Sequence, residues 1–367
     1  MTSEGISAAS TQQPTPPASG VAVSAQSEAG RPSRTGPAST GASTGASTTT
    51  PTRASTPAPD GRPEILALRA LKLGDLLVAV PALKGLRRAF PDHRILYAAQ
   101  EWLRPIVGLT DAIDDLLPTH GLDDPLPIEH GRIDLAVNLH GNGAESRGRL
   151  EEIGAARRMG HRSPGWDGPE WQDGVLERER WAHLVSWHGV PADPLDCRLR
   201  VPDGESPAPD AVVIHVGAAY GSRLWPVDRF GEVARTLAAA GHRVVFTGSD
   251  KERARALAVA DAAGLPEDTV AAGTLPLDRF ARLVAGAGLV ISADTGAAHL
   301  ASAYARPSVV LFGPAPASEW GPPPGPHTVL TDESLRVGET FSPTPDPALM
   351  AVTVEQVLAA AAAHGVA

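Results

Sequence analysis

Cysteine is nearly absent: Cys197 is the single one among 367 residues. That excludes an intrachain disulfide and any multi-cysteine metal site. No apolar run approaches the roughly 20 residues that cross a bilayer. Positive charge is not in excess either. The formal net charge is −10, which argues against general nucleic-acid or anionic-membrane binding. No zinc spacing, Walker A loop, HExxH helix or GxSxG elbow occurs. The histidines His120, His130, His140, His161, His183 and His188 are scattered, and their spacing makes no metal site. Residues 1–62 contain no Leu, Phe, Trp or Tyr and repeat themselves at Thr40 to Ser47. A Ser/Thr/Pro/Ala-rich stretch of this kind cannot bury enough apolar surface to offset chain entropy, so a disordered tail is expected there. It also lacks the apolar core of a secretion signal, and the expected compartment is the cytoplasm.

Over the remaining ~300 residues, enough for two domains of ordinary size, apolar runs alternate with amphipathic helices. Strands are predicted at 64–70, 94–99 and 133–139. After the first of them, Leu83, Leu86 and Phe90 share one face of a helix. The segment 160–194 is less regular and holds four of the seven tryptophans. The best linker is Val201 to Asp210, polar and with three prolines. The pattern then restarts, with strands predicted at 212–216, 244–247, 289–291 and 309–312. Such alternation denotes an α/β fold with parallel sheets. The expected domains are 63–200 and 208–340, both Rossmann-like. A C-terminal tail and helix over 341–367 is expected to pack back on the first domain, with Thr353 and Gln356 as its capping box. Two facing halves leave a cleft, a common ligand site.

Four strand-to-helix turns could carry chemistry. In Lys72-Leu73-Gly74-Asp75, Asp75 is either the N-cap of the next helix or a carboxylate aimed into the cleft as a general base. In Gly217 to Pro226, small residues let a ligand approach the backbone. Arg223 there supplies a permanent positive charge suited to phosphate, or is a plain surface arginine. Thr295 and His299, four residues apart, share one helix face, and Gly296 leaves the backbone open between them. Asp294 reads equally as a helix cap or a ligand contact. In Thr247 to Glu252, acidic residues either bind ribose hydroxyls or favour the helix N-terminus electrostatically.

The chain resembles glycosyltransferase family 9, the ADP-heptose:lipopolysaccharide heptosyltransferase family, from about Glu64 to Leu330. The resemblance is carried by LGDLLVAVPALKGLRRAFP, NLHGNG, HVGAAYGSRLWPVDRF, VVFTGSDKE and SADTGAAHLASAYARPSVVLFGP. It implies a GT-B fold, with two Rossmann-like domains facing a cleft, the acceptor mostly on the first and the nucleotide sugar mostly on the second. It implies an inverting, metal-independent transfer with no cofactor. The donor would be an ADP- or other NDP-sugar, ADP-heptose first among them. The acceptor would be a hydroxyl of a glycan or glycolipid such as lipopolysaccharide core. Peripheral contact with the inner membrane surface is compatible with such an acceptor. Asp75 matches the family's general base. Asp294, Thr295, Gly296 and His299 match its donor-binding segment. Arg223 stands where the family commonly has a phosphate-binding lysine, and Glu252 falls near its ribose-binding glutamate. The competing expectations are a nucleotide-sugar epimerase or hydrolase on the same fold, and an inactive nucleotide-sugar-binding protein.

Overall fold

The computed structural model describes residues 57–366. Most of the expected tail, residues 1–56, lies outside the described residues. Among the described residues, ten strands form two five-stranded sheets, parallel throughout. The first sheet contains β1 Glu64–Leu68, β2 Arg94–Ala99, β3 Asp115–Pro118, β4 Leu135–Asn138 and β5 Arg157–Met159, in the order β3-β2-β1-β4-β5. The second contains β6 Val212–His215, β7 Val244–Thr247, β8 Leu289–Ala293, β9 Ser308–Leu311 and β10 His327–Leu330, in the order β10-β9-β8-β6-β7. Central strands are buried end to end, as in Glu64–Leu68 and Leu289–Ala293. That is why they read as unbroken apolar runs: helices cover both faces of a parallel sheet.

Helices α1 Leu73–Ala89, α2 Arg104–Val107, α3 Ala144–Glu152 and α4 Glu177–Trp187 accompany the first sheet. Helices α5 Val227–Ala239, α6 Arg253–Ala263, α7 Leu277–Ala285, α8 Gly296–Ala303, α9 Ala317–Trp320, α10 Pro347–Met350 and α11 Val354–Ala363 follow. One apolar cluster joins the two halves, holding Leu76 and Leu77 of α1 together with Leu300 and Ala301 of α8. Strand order reverses between β1 and β4 in one sheet and between β6 and β8 in the other. At such switch points the loops beyond the strand ends diverge and leave a crevice where ligands bind.

Two expectations need correction. The last helix does not pack on the first domain. It lies against α5, β9 and β10, with Val357 and Ala361 in the same core as Val212, Phe230 and Leu311. Trp225 and Arg229 donate to the Val352 carbonyl, at 3.1 and 2.8 Å, and so tie its lead-in to the second sheet. The Thr353–Gln356 capping box is present, with bonds of 2.9 and 3.3 Å. Residues 57–62, placed in the tail by composition, are strapped to the first sheet. Arg132 donates to the Pro57 carbonyl at 2.7 Å, Arg94 donates to the Ala58 carbonyl, and Arg62 reaches Asp114 at 3.3 Å. Ionic and main-chain bonds hold this strap where apolar content does not.

Candidate active site

The turn after β1 starts with Arg69, whose side chain is 2% exposed. Its guanidinium donates to the Asp75 main-chain oxygen at 2.6 Å and to Asp75 Oδ1 at 3.0 Å, and also to the Leu139 carbonyl. Glu177 Oε2 lies 3.5 Å away, and the guanidinium stacks 4.6 Å from the centre of the Trp181 ring. Asp75 is therefore not the N-cap. It is the third residue of α1, and its Oδ2 accepts from the Lys72 N–H at 3.2 Å. The carboxylate keeps a partly exposed face while its rotamer is fixed from beneath. That is the arrangement a positioned proton acceptor needs.

Beside it, at the end of β4, His140 Nδ1 accepts from the Ala70 N–H at 3.2 Å. Burial and the Arg69 charge push the imidazole down to about 4, against the opposing pull of Asp75. The ring is thus neutral, and with Nδ1 accepting, its proton sits on Nε2. Neither Arg69 nor His140 was singled out by its sequence setting. A charged residue closing an apolar strand was the available signal for Arg69.

In the second domain, Arg223 and Asp294 find each other across the ends of β6 and β8. Arg223 Nη1 donates to Asp294 Oδ2 at 2.9 Å and to its main-chain oxygen at 3.1 Å. Asp294 is 4% exposed at its side chain. It does not cap α8, because the arginine takes its carboxylate. Thr295 is the N-cap instead, its hydroxyl accepting from the Ala297 N–H at 3.3 Å and pairing with Ser292 at 2.8 Å. Arg223 Nε is buried without a partner among the described residues. His299 Nε2 stands 3.5 Å from Asp294 Oδ1. The arginine, aspartate, threonine and histidine read from the sequence are therefore one cluster at one helix start, where backbone N–H groups and the helix dipole favour an anion.

Glu252 serves its own helix and the crevice at once. Its Oε2 accepts from the Ser249 N–H at 2.6 Å in a capping box. Its carboxyl carbon lies 2.1 Å from where a Cβ on Gly217 would stand, so a larger residue there would displace the carboxylate. The two domains meet as closely. A Cβ on Gly74 would stand 2.9 Å from His299 Cδ2, and one on Gly296 would stand 3.0 Å from Leu73. The peptide that leads into Asp75 thus abuts the His299 imidazole.

Two parallel α/β domains with their strand ends converging on a carboxylate and an arginine-lined helix start make a GT-B fold. Residues 200–336 match the model of glycosyltransferase family 9 (heptosyltransferase). Lipopolysaccharide heptosyltransferase 2 of Escherichia coli strain K12 is 23% identical over 297 residues, 68% of this chain and 83% of that protein. The structure of E. coli ADP-heptose lps heptosyltransferase II superposes with a TM-score of 0.67 at 22% identity, covering 82% of this chain and 98% of the other. E. coli heptosyltransferase WaaC with ADP gives 0.63 at 19%, covering 82% and 99%. Over residues 200–336 the chain is similar to glycosyltransferase family 9, and it is a glycosyltransferase.

Proposed function

We propose that the protein moves heptose from ADP-heptose to a hydroxyl of lipopolysaccharide core, with inversion at the anomeric carbon and without a metal ion. Asp75 takes the proton of the acceptor hydroxyl as its oxygen bonds to the anomeric carbon. The bond from that carbon to the diphosphate breaks on the opposite face. The transition state has oxocarbenium character. Negative charge growing on the diphosphate meets Arg223 and the N–H groups at the start of α8, with Asp294 fixing both the arginine and the His299 imidazole. One preorganised donor of this kind is worth roughly 3 kcal/mol. Glu252, beside Gly217, takes the ribose hydroxyls.

The observation that carries this reading is the meeting of Asp75, held by buried Arg69, with the Arg223–Asp294–His299 cluster across the Gly74 contact. The names of the relatives supply heptose and lipopolysaccharide. No group of three or more His, Cys, Asp or Glu side chains able to hold a metal occurs among the described residues. No described helix is long and apolar enough to cross a membrane. The same proposal places the enzyme in the cytoplasm, meeting a glycolipid acceptor at the inner membrane surface.

Calorimetric titration with ADP, UDP and GDP comes first, followed by transfer from ADP-heptose to heptose-deficient lipopolysaccharide in chelator. Selective ADP binding and transfer that Asp75→Asn abolishes without loss of ADP affinity are expected. An Asp75→Asn variant as active as the parent would remove the base. Donor consumed equally without acceptor would favour a hydrolase, and nucleotide bound without turnover a binding protein.

A further inference from the structure

We propose that Lys72 is a diphosphate-binding residue, a cation that the first domain extends to a donor seated on the second. The inference rests on the donor reading above. Lys72 is the last residue before α1 and is exposed. No ion pair to its ammonium occurs among the described residues. Nζ stands 5.7 Å from the centre of the Tyr220 ring, across the cleft and within the roughly 6 Å reach of a cation–π contact. The Tyr220 carbonyl accepts from the Arg223 N–H at 3.2 Å, so this ring borders the turn that carries the phosphate-facing arginine. The residues after Lys72 touch the other domain as well, Leu73 against Gly296 and Gly74 against His299.

The charge inventory of the cleft gives the reason a further cation is needed. Arg223 is paired with Asp294, and Arg69 with Asp75 and Glu177. Glu252 adds another carboxylate. The turn after β6 offers little compensation from side chains. Ala218 and Ala219 have no hydroxyl, and the Ser222 hydroxyl is committed to the Thr340 carbonyl at 2.5 Å. A nucleoside diphosphate placed there meets backbone N–H groups, the remaining N–H groups of Arg223, and one ammonium free of any carboxylate. Because its charge grows as the glycosidic bond breaks, a cation already in place favours the transition state over the ground state. Since Lys72 and Arg223 belong to different domains, a diphosphate bound by both also bridges the two.

The test is calorimetry of the parent, Lys72→Gln and Lys72→Arg with ADP and with adenosine. The side chain is exposed, so thermal melts of all three should coincide. Lys72→Gln should weaken ADP roughly tenfold, the loss expected for one charge-assisted hydrogen bond. Adenosine affinity should not change, and Lys72→Arg should stay within about threefold of the parent for ADP. If the parent binds ADP and Lys72→Gln binds it equally well, the assignment of Lys72 is overturned while the donor site stands. If Lys72→Gln weakens adenosine as much as ADP, the lysine is not reading phosphate and the assignment fails. A parent that binds ADP no better than adenosine overturns the donor reading, and this assignment with it.

Discussion

Arg69 grips Asp75 at two points, Nη2 at 3.0 Å from Oδ1 and Nε at 2.6 Å from the main-chain oxygen of the same residue. One buried side chain therefore sets both the carboxylate rotamer and the first turn of the helix that bears it. Arg69→Lys keeps a charge but cannot form the fork. Turnover should fall roughly 10- to 100-fold with ADP affinity unchanged. Stability should fall by about 2 kcal/mol as buried partners lose their donors. Steady-state kinetics beside calorimetry reads both, and parental turnover in the variant would remove Arg69 from this role.

Arg223→Ala leaves the Asp294 carboxylate buried without its cation. A loss of about 3 kcal/mol is expected, because breaking one side of a buried pair exposes the full desolvation cost of the other. Asp294→Asn added to it should restore most of that stability while ADP binding stays weak. Denaturant titration of the four proteins in a double-mutant cycle measures the coupling. Strictly additive losses would mean the pair is energetically silent.

Gly74→Ala puts a methyl 2.9 Å from the His299 ring. The imidazole must move, and a cost of about 1–3 kcal/mol is typical of such overpacking. Melting temperature and turnover should both fall. Gly74→Ala combined with His299→Ala should recover the melting temperature but not the turnover.

Acid should destabilise the fold through its histidines before the carboxylates titrate. Burial lowers His215, and lowers His140, His161 and His327 to about 4. Between pH 6.5 and about 4 the unfolded chain then binds more protons than the folded one, so stability increases with pH across that window. The melting temperature is expected to drop by roughly 5–10 °C from pH 7.5 to pH 5. A flat profile there would show that these rings do not stay neutral.

Where local chemistry decides, the sequence was legible. The strands Arg94–Ala99 and Val244–Thr247 and the Thr353–Gln356 capping box occur where patterning places them. Helix α4 was not legible, because its buried residues include Glu177, Arg178 and Arg180 where helical periodicity looks for apolar side chains. Those charges are buried since Glu177 faces Arg69 and also accepts from Trp181 and Arg180. Edge strands β5 and β10 are short, and neither is fully buried. Within the site, motif residues could be named singly. The Arg223–Asp294 pair needs β6 beside β8, and His140 beside Ala70 needs β4 beside β1. No local window contains either pairing. The same pairing turned Asp294 from cap to counter-ion and left the cap to Thr295.

The strap at residues 57–62 has a practical side. Its partners Arg94, Asp114 and Arg132 lie at or within three residues of the starts of β2, β3 and β4, whereas Asp75 and His140 lie beyond the opposite ends of the strands. A strand of five residues separates those two poles by roughly 17 Å. Pro57 and Ala58 therefore sit at the pole away from the cleft. A biotin, dye or solid support joined directly at Pro57 therefore holds the enzyme with its entrance facing solution.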